Sequence, residues 1–269
     1  MNEPLIPVAH PSEAGHWYRP DGTPAYEIVG KNGQRRPTTL RDAKNLGLVP
    51  SVTTIIASAA RPGLENWKID QGILAALTLP RGADESEKDW LARVKLDSAE
   101  QARKAAERGT QIHASIERMY RDDIWPPDEP EPAPSVWRVI EDYFGDQFWE
   151  PEVTFARRGI AGKVDLASKT IGDSGIIIDF KGKYPSDFDS VKPRLAFDEH
   201  AMQLAAYRYG LGWDNARCAN VFFGRFEPWR VAIHEWSEDD LQRAYGMFDG
   251  LLHYWYAKSG LEPEMEWIA

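Results

Sequence analysis

GIAGKVDLASKTIGDSGIIIDFKGK, residues 159 to 183, reads as two β-strands joined by a turn. The first strand carries Gly162-Lys163-Val164-Asp165 into Leu166 and Ala167. Gly172-Asp173-Ser174-Gly175 supplies the residue types that reverse a chain. Ile176-Ile177-Ile178 is a β-branched run suited to burial on both faces, and it ends on Asp179-Phe180-Lys181. Side chains alternate along a strand, so Asp179 and Lys181 point one way and Phe180 the other. Pairing with the first strand brings Asp165 close to both. Adjacent carboxylates repel unless a cation lies between them, which points to a divalent metal site. On these residues alone a solvated Asp–Lys ion pair is the simpler explanation. Stretches elsewhere in the chain decide against it.

The 269 residues are 42% hydrophobic and 28% charged, the balance of a globular protein with one large domain or a domain with a helical extension. No apolar run is long enough to cross a membrane. The N-terminal MNEPLIPVAHPSEAGH has neither the basic nor the apolar region of a secretion signal, so a cytoplasmic location in a bacterial or phage-infected host cell is expected. A single cysteine, Cys218, excludes an internal disulfide, a zinc ribbon and a cysteine-ligated iron–sulfur cluster. A net charge of −10 argues against non-specific coating of nucleic acid but allows a local basic groove. Arg157, Arg158, Lys163, Lys169, Lys181, Lys183, Lys192 and Arg194 do gather along the central stretch. Gly159 to Lys163 superficially resembles a phosphate loop, but Val164 stands where Ser or Thr is required, so no bound nucleotide is expected.

The chain divides into four parts. Residues 1–50 form an N-terminal hairpin and loop, with turns at Pro20-Asp21-Gly22 and Lys31-Asn32-Gly33. Residues 51–125 are helical. Ser51 caps a first helix, and Pro62 opens a second whose apolar face carries Leu64, Trp67, Gln71 and Leu74. One or two further helices span 84–121, where Gly109, Ile112, Ile116 and Tyr120 recur at helical spacing. His113 and Glu117 lie four apart on the adjoining stripe. Ser51 and Thr53 place hydroxyls at a helix N-terminus, which suits either a phosphate or an ordinary cap. Residues 126–134, PPDEPEPAP, are a proline-rich acidic connector. In 135–269 an amphipathic helix at 136–148 precedes a strand over Glu152–Phe155 and the central hairpin. An irregular basic loop at 184–195, a helix at 196–210, strands near 217–224 and 229–236 and a last helix opened by Ser237-Glu238-Asp239-Asp240 follow. Residues 51–269 are expected to form one compact unit.

Taken in order, His113 on a helix after Gly109-Thr110-Gln111-Ile112, Asp165 in Gly-Lys-Val-Asp, Asp179-Phe180-Lys181 after an aliphatic strand, and Gln203-Leu204-Ala205-Ala206-Tyr207 on a helix form a specific set. It resembles the PD-(D/E)XK nuclease superfamily, and within it the RecB-like exonuclease branch with its helical His and its Q-x-x-x-Y motif. Val49 to Ile56, followed by Pro62-x-Leu64-x-x-Trp67, is similar to the phage-type and mitochondrial genome maintenance exonucleases of that branch. The resemblance runs from about Leu48 to Tyr207.

This resemblance implies an α/β fold with a restriction-endonuclease-like core, a small mixed sheet flanked by helices and preceded by a largely helical portion. It implies Asp165, Asp179 and His113 as ligands of Mg²⁺ or Mn²⁺ (one or two ions), with the Phe180 carbonyl, and Lys181 as the catalytic lysine. Gln203 and Tyr207 would hold the nucleic-acid strand or buttress the site, and Glu152 would be a further acid that binds a metal through water. Ser51, Thr53, Lys163 and Lys183 are further candidates for binding the substrate, and Glu117 is a further candidate accessory acid. The donor types suit this chemistry independently, because hard cations take oxygen ligands and imidazole widens tolerance towards Mn²⁺. The implied activity is metal-dependent exonucleolytic cleavage of DNA in phage or prophage recombination, replication or end processing. A single-strand annealing or recombination protein would be the partner. A structure-specific endonuclease and a catalytically silent DNA-binding recombination partner are the alternatives. The resemblance leaves the oligomeric state open, and iron–sulfur relatives are set aside by the single Cys218.

Overall fold

The computed structural model describes residues 15–60, 62–122, 132–169, 174–189, 195–227 and 229–261. From the N-terminus the elements are β1 (Trp17–Tyr18), β2 (Glu27–Val29), β3 (Arg35–Pro37), α1 (Leu40–Leu46), β4 (Val49–Pro50), α2 (Val52–Ile56), α3 (Pro62–Thr78), α4 (Glu87–Arg121) and α5 (Ala133–Phe144). Then come β5 (Glu150–Arg157), β6 (Ile160–Lys169), β7 (Gly175–Lys183), α6 (Pro185–Asp189), α7 (Asp198–Leu211), β8 (Arg217–Gly224), β9 (Val231–Glu235) and α8 (Glu238–Ser259).

Ile176, Ile177 and Ile178 are buried, as their β-branched run predicts, because β7 lies in the middle of a five-stranded sheet ordered β5-β6-β7-β8-β9. β5, β6 and β7 are joined antiparallel, β7 and β8 run parallel, and β9 returns antiparallel. The parallel step needs a crossover, and α6 and α7 provide it. Helices cover both faces. On one side Val52, Ile55 and Ile56 of α2, Leu204 and Tyr207 of α7 and Phe248 and Leu252 of α8 pack on Val164, Ile177 and Cys218. On the other, Ile112 and Ile116 of α4 and Val136 and Ile140 of α5 pack on Leu166, Ile178 and Val221. This is the mixed α/β architecture expected from the sequence, with a helical N-terminal portion.

Two local features draw the layers together. The β5–β6 hairpin closes on Arg158 and Gly159, both with positive φ (54° and 73°), between the pair Arg157 and Ile160. A two-residue loop of that kind matches the twist of the strands it joins. Gly162 lets α7 approach the sheet, since a Cβ there would fall 2.7 Å from Tyr207 Cε1 and 2.8 Å from Phe155 Cε1.

Several boundaries differ from the sequence reading. Both N-terminal turns form, but the segment is not one hairpin: β2 pairs with β3, while β1 pairs with β4 some thirty residues on. The ring contacts of Trp17 and the burial of Leu48 hold that pairing in place. Residues 84–121 give one long helix from Glu87, capped by Ser86. In α3 Trp67 and Gln71 of the expected face are half-buried and Ala75 beside them is buried, while Leu74 is exposed together with Ile69, Ile73 and Leu77. The helix after the connector takes in Ala133 and Pro134, Pro being tolerated in a first turn where its missing N–H is no loss. Residues 123–131 of the connector and 170–173 of the central turn lie outside the described residues. Within the loop expected at 184–195, Pro185–Asp189 is a short helix. Among the described residues no helix is long and apolar enough to cross a membrane.

Candidate active site

The β6–β7 ladder ends at Leu166 opposite Ile178, so the next residues of each strand towards the splayed end are Asp165 and Asp179. The β5–β6 ladder, continuous on either side, skips the pair of Glu152 and Asp165. There Glu152 takes φ 59°, a left-handed value that strains a side chain other than Gly. The strands therefore part at a row of three acids, Glu152, Asp165 and Asp179. The Phe180 amide, released from its ladder, donates to Asp165 Oδ2 at 2.7 Å. This answers the demand of a buried N–H with a side chain in place of a neighbouring strand.

Asp179 is 2% exposed, which rules out a solvated ion pair. Lys181, two residues on and on the same side, puts Nζ 2.8 Å from Asp179 Oδ1 and 2.7 Å from Oδ2. From α7, Gln203 Nε2 donates to Asp179 Oδ1 and to the Tyr207 hydroxyl, both at 2.8 Å, and Gln203 Oε1 accepts from Lys181 at 3.2 Å. From β8, Asn220 Nδ2 donates to Asp179 Oδ2 at 2.8 Å, and Trp236 Nε1 holds the Asn220 oxygen at 2.8 Å. Gln203 and Tyr207, one turn apart, thus brace the Asp179–Lys181 pair from the adjacent layer. His113 reaches round from α4, edge-on to Phe180 and Phe223, with Nδ1 3.7 Å from Asp165 Oδ2.

Burial dominates the electrostatics. It raises both Asp165 and Asp179 above the usual carboxylate range, against the nearby Lys181 charge. It lowers His113 to about 4, so the imidazole is neutral near pH 7 and free to ligate. Tyr207 is raised by burial and by the two aspartates and keeps its proton. Three carboxylates here face the two ammonium groups Lys181 and Lys163, the latter paired with Glu152.

Among the described residues no three or more His, Cys, Asp or Glu side chains stand grouped closely enough to hold a metal ion as they are. Both oxygens of Asp179 are engaged by Lys181, Gln203 and Asn220. The chemistry of the donor set fits a hard divalent cation all the same. Asp165 makes one hydrogen bond among the described residues, His113 is neutral beside it, and buried carboxylates short of counter-charge are what a cation relieves.

The remaining expected site residues are placed differently. The Ser51 hydroxyl is buried and engaged by Thr53 Oγ1, Thr54 Oγ1 and the Thr54 amide, so it caps α2 and does not offer itself to a phosphate. Thr53 shares that network. Glu117 is paired with Arg121 one turn on. Lys183 lies over the rings of Phe197 and Phe222, at 4.9 and 5.2 Å. Sequence reasoning passed over Asn220, although a polar residue inside the apolar strand Arg217–Gly224 was a legible sign. It also passed over Tyr18, whose hydroxyl is 2.6 Å from that of Tyr26 and feels the charges of Glu152 and Asp165. Asn220→Leu is expected to cost about 1–3 kcal/mol of folding stability, because it strips one donor from a buried carboxylate. Thermal melting measures this, and an unchanged midpoint would show that Lys181 and Gln203 suffice.

No model of a known protein family matches the chain, and no curated protein matches it in sequence. Among solved structures it is similar to the crystal structure of SSO0001, with 16% identity and a TM-score of 0.30 over 70% of this chain and 85% of that one. It is also similar to a "Putative exonuclease" from Eubacterium rectale, with 16% identity and a TM-score of 0.38 over 61% of this chain and 71% of that one. Likenesses of this order do not carry an activity from one chain to another, and the functional case rests on the side chains above.

Proposed function

We propose that this chain is a divalent-metal-dependent nuclease that hydrolyses DNA phosphodiester bonds from a free end, acting in phage-type recombination or end processing. One observation carries the reading: at the splayed end of β7, an ammonium is fixed between a buried carboxylate and a glutamine, beside a second carboxylate with a neutral imidazole at its side. Burial plus a specific charge partner, gathered at one place on a strand end, is the pattern of a functional-site candidate.

Asp165, Asp179 and His113, with the Phe180 carbonyl, would hold the metal. Bound there, Mg²⁺ or Mn²⁺ supplies Lewis acidity to the phosphoryl group and acidity to a coordinated water. The chain's own groups do the rest. The Lys181 ammonium orients the attacking water and sets positive charge against the oxygens on which negative charge grows. Gln203 fixes the position of that ammonium, and Tyr207 fixes Gln203. His113, uncharged, adds no competing cation.

The test is degradation of end-labelled linear single- and double-stranded DNA with Mg²⁺, with Mn²⁺ and with EDTA, beside circular single-stranded DNA. Metal-dependent loss of linear DNA that spares circles is the expected result. Cleavage of circles makes the protein an endonuclease, and no cleavage with any metal removes the nuclease reading.

A further inference from the structure

β7 does not stop being informative at Lys181. Its last residue, Lys183, leads into Tyr184, and across from it β8 runs into Arg225 and Phe226, with the Arg225 amide donating to the Lys183 carbonyl at 3.0 Å. The rings of Tyr184 and Phe226 are stacked, with centroids 5.9 Å apart and planes at 26°. Phe226 is 53% exposed. A guanidinium stands over each ring: Arg108 of α4 lies 5.4 Å from the Phe226 centroid, and Arg225 lies 5.3 Å from that of Tyr184. Arg108 Nε also donates to the Arg225 carbonyl at 2.6 Å, which ties α4 to the end of β8.

These two arginines are placed beside the candidate active site and carry no ion pair to a carboxylate among the described residues, unlike many others of the chain. Arg93, Arg103, Arg121, Arg208, Arg217, Arg230 and Arg243 all meet carboxylates. Among the described residues neither Arg108 nor Arg225 has a carboxylate partner, and Arg225 Nε is buried without a hydrogen-bond partner. Arg225 is also adjacent to the candidate active site. A Cβ on Gly182, the residue after Lys181, would lie 2.7 Å from Arg225 Nε, and the Arg225 charge is felt at both His113 and Lys183. In a chain of net charge −10, two cations with no carboxylate partner among the described residues, beside a stack whose Phe226 is exposed, make a local basic site next to the candidate active site.

We propose that Tyr184, Phe226, Arg108 and Arg225 form a platform for an unpaired nucleic-acid strand entering the candidate active site. A base packs against the exposed part of Phe226, and the two guanidinium groups meet the backbone phosphates. Aromatic rings bind every base through its π-face and arginines neutralise phosphate, a combination suited to single strands without regard to sequence. A base inside a duplex is already stacked on both sides and cannot use the ring. The platform rests on the nuclease reading for its purpose but not for its existence.

Fluorescence anisotropy in EDTA separates binding from cleavage. The probes are a fluorescein-labelled oligothymidylate and a blunt duplex of equal length, titrated with wild type, Phe226→Ala, Phe226→Trp and Arg108→Gln, each checked for an unchanged melting profile. Phe226→Ala is expected to weaken single-strand binding about 5- to 100-fold, with a smaller change for the duplex. Phe226→Trp retains binding. Arg108→Gln lowers the slope of log affinity against log salt by about one. Single-strand affinity indistinguishable between Phe226→Ala and wild type overturns the platform, even if the protein cleaves DNA. The expected binding losses with no cleavage under any metal overturn the nuclease reading and leave the platform standing. A wild type that binds neither probe overturns the platform and leaves the nuclease reading to the cleavage test.

Discussion

Lys181→Ala is expected to lower the rate of DNA cleavage by about 10²- to 10⁴-fold, the range over which a positioned proton-handling side chain contributes. Geometry sets the expectation. The ammonium contacts both oxygens of Asp179 and the Gln203 amide oxygen, and its side chain retains 28% exposure towards the opening. The same substitution leaves Asp179 buried with only neutral donors, a defect that costs folds about 3–5 kcal/mol when one partner of a buried pair is removed. Lys181→Arg separates the two effects. It keeps the charge beside Asp179, so the melting midpoint should stay near that of wild type. A planar guanidinium cannot take the place of a compact ammonium towards both Asp179 and a phosphoryl oxygen, so cleavage should still fall by about 10²-fold or more. Initial rates on linear DNA and thermal melts of the three proteins decide it. Full activity in Lys181→Arg would make the residue a source of field alone, and full activity in Lys181→Ala would remove it from the mechanism.

Much of this site was legible because its geometry follows from short-range rules. The alternation of a strand puts Asp179 and Lys181 on one side, and the helical repeat puts Gln203 and Tyr207 on one face. The structure brings those two pairs into contact. The burial of Ile176 to Ile178 on both faces was equally plain from three β-branched residues in a row. What could not be read depends on register between distant elements. That Asn220 lies beside Asp179 follows from the parallel pairing of β7 with β8, and no local signal fixes that pairing across a thirty-residue crossover. The skipped pair at Glu152 and Asp165 is a departure from regular strand geometry, and sequence patterns describe only the regular case. Ser51 left two readings open, and the structure shows the cap. A hydroxyl at a helix N-terminus suits a phosphate or its own backbone equally well, and here Thr54 lies close enough to take it. Exposed Ile73, Leu74 and Leu77 in α3 show the limit of apolar periodicity: a helical stripe marks a face, not what covers it.

Asp165→Asn is expected to cut metal-dependent cleavage by about 10²-fold or more, while making the metal-free protein equally or more stable by about 0.5–2 kcal/mol at neutral pH. The amide keeps an oxygen for the Phe180 N–H and removes a carboxylate that burial holds above its ordinary range. Lys181 loses nothing essential, since Asp179 remains its direct partner. The pH dependence follows in sign. A carboxyl raised in the folded state binds its proton there before it does in the unfolded chain, so wild type gains stability as pH falls from neutral towards the ordinary carboxylate range. The advantage of Asp165→Asn in EDTA should therefore shrink as the solution is acidified. Divalent metal acts in the opposite way. It should raise the melting midpoint of wild type, by an amount equivalent to about 2.7 kcal/mol at a hundredfold excess over the dissociation constant, and should raise that of the variant far less. Melts across pH, with EDTA and with Mn²⁺, measure both effects. A variant less stable than wild type in EDTA at neutral pH would mean that the Asp165 charge holds the fold together. A metal-induced shift equal in the two proteins would place the ion elsewhere. The expected pair of results, a protein made firmer and inactive by one neutralised carboxylate, is what distinguishes a site that stores uncompensated charge for catalysis from an ion pair that serves the fold.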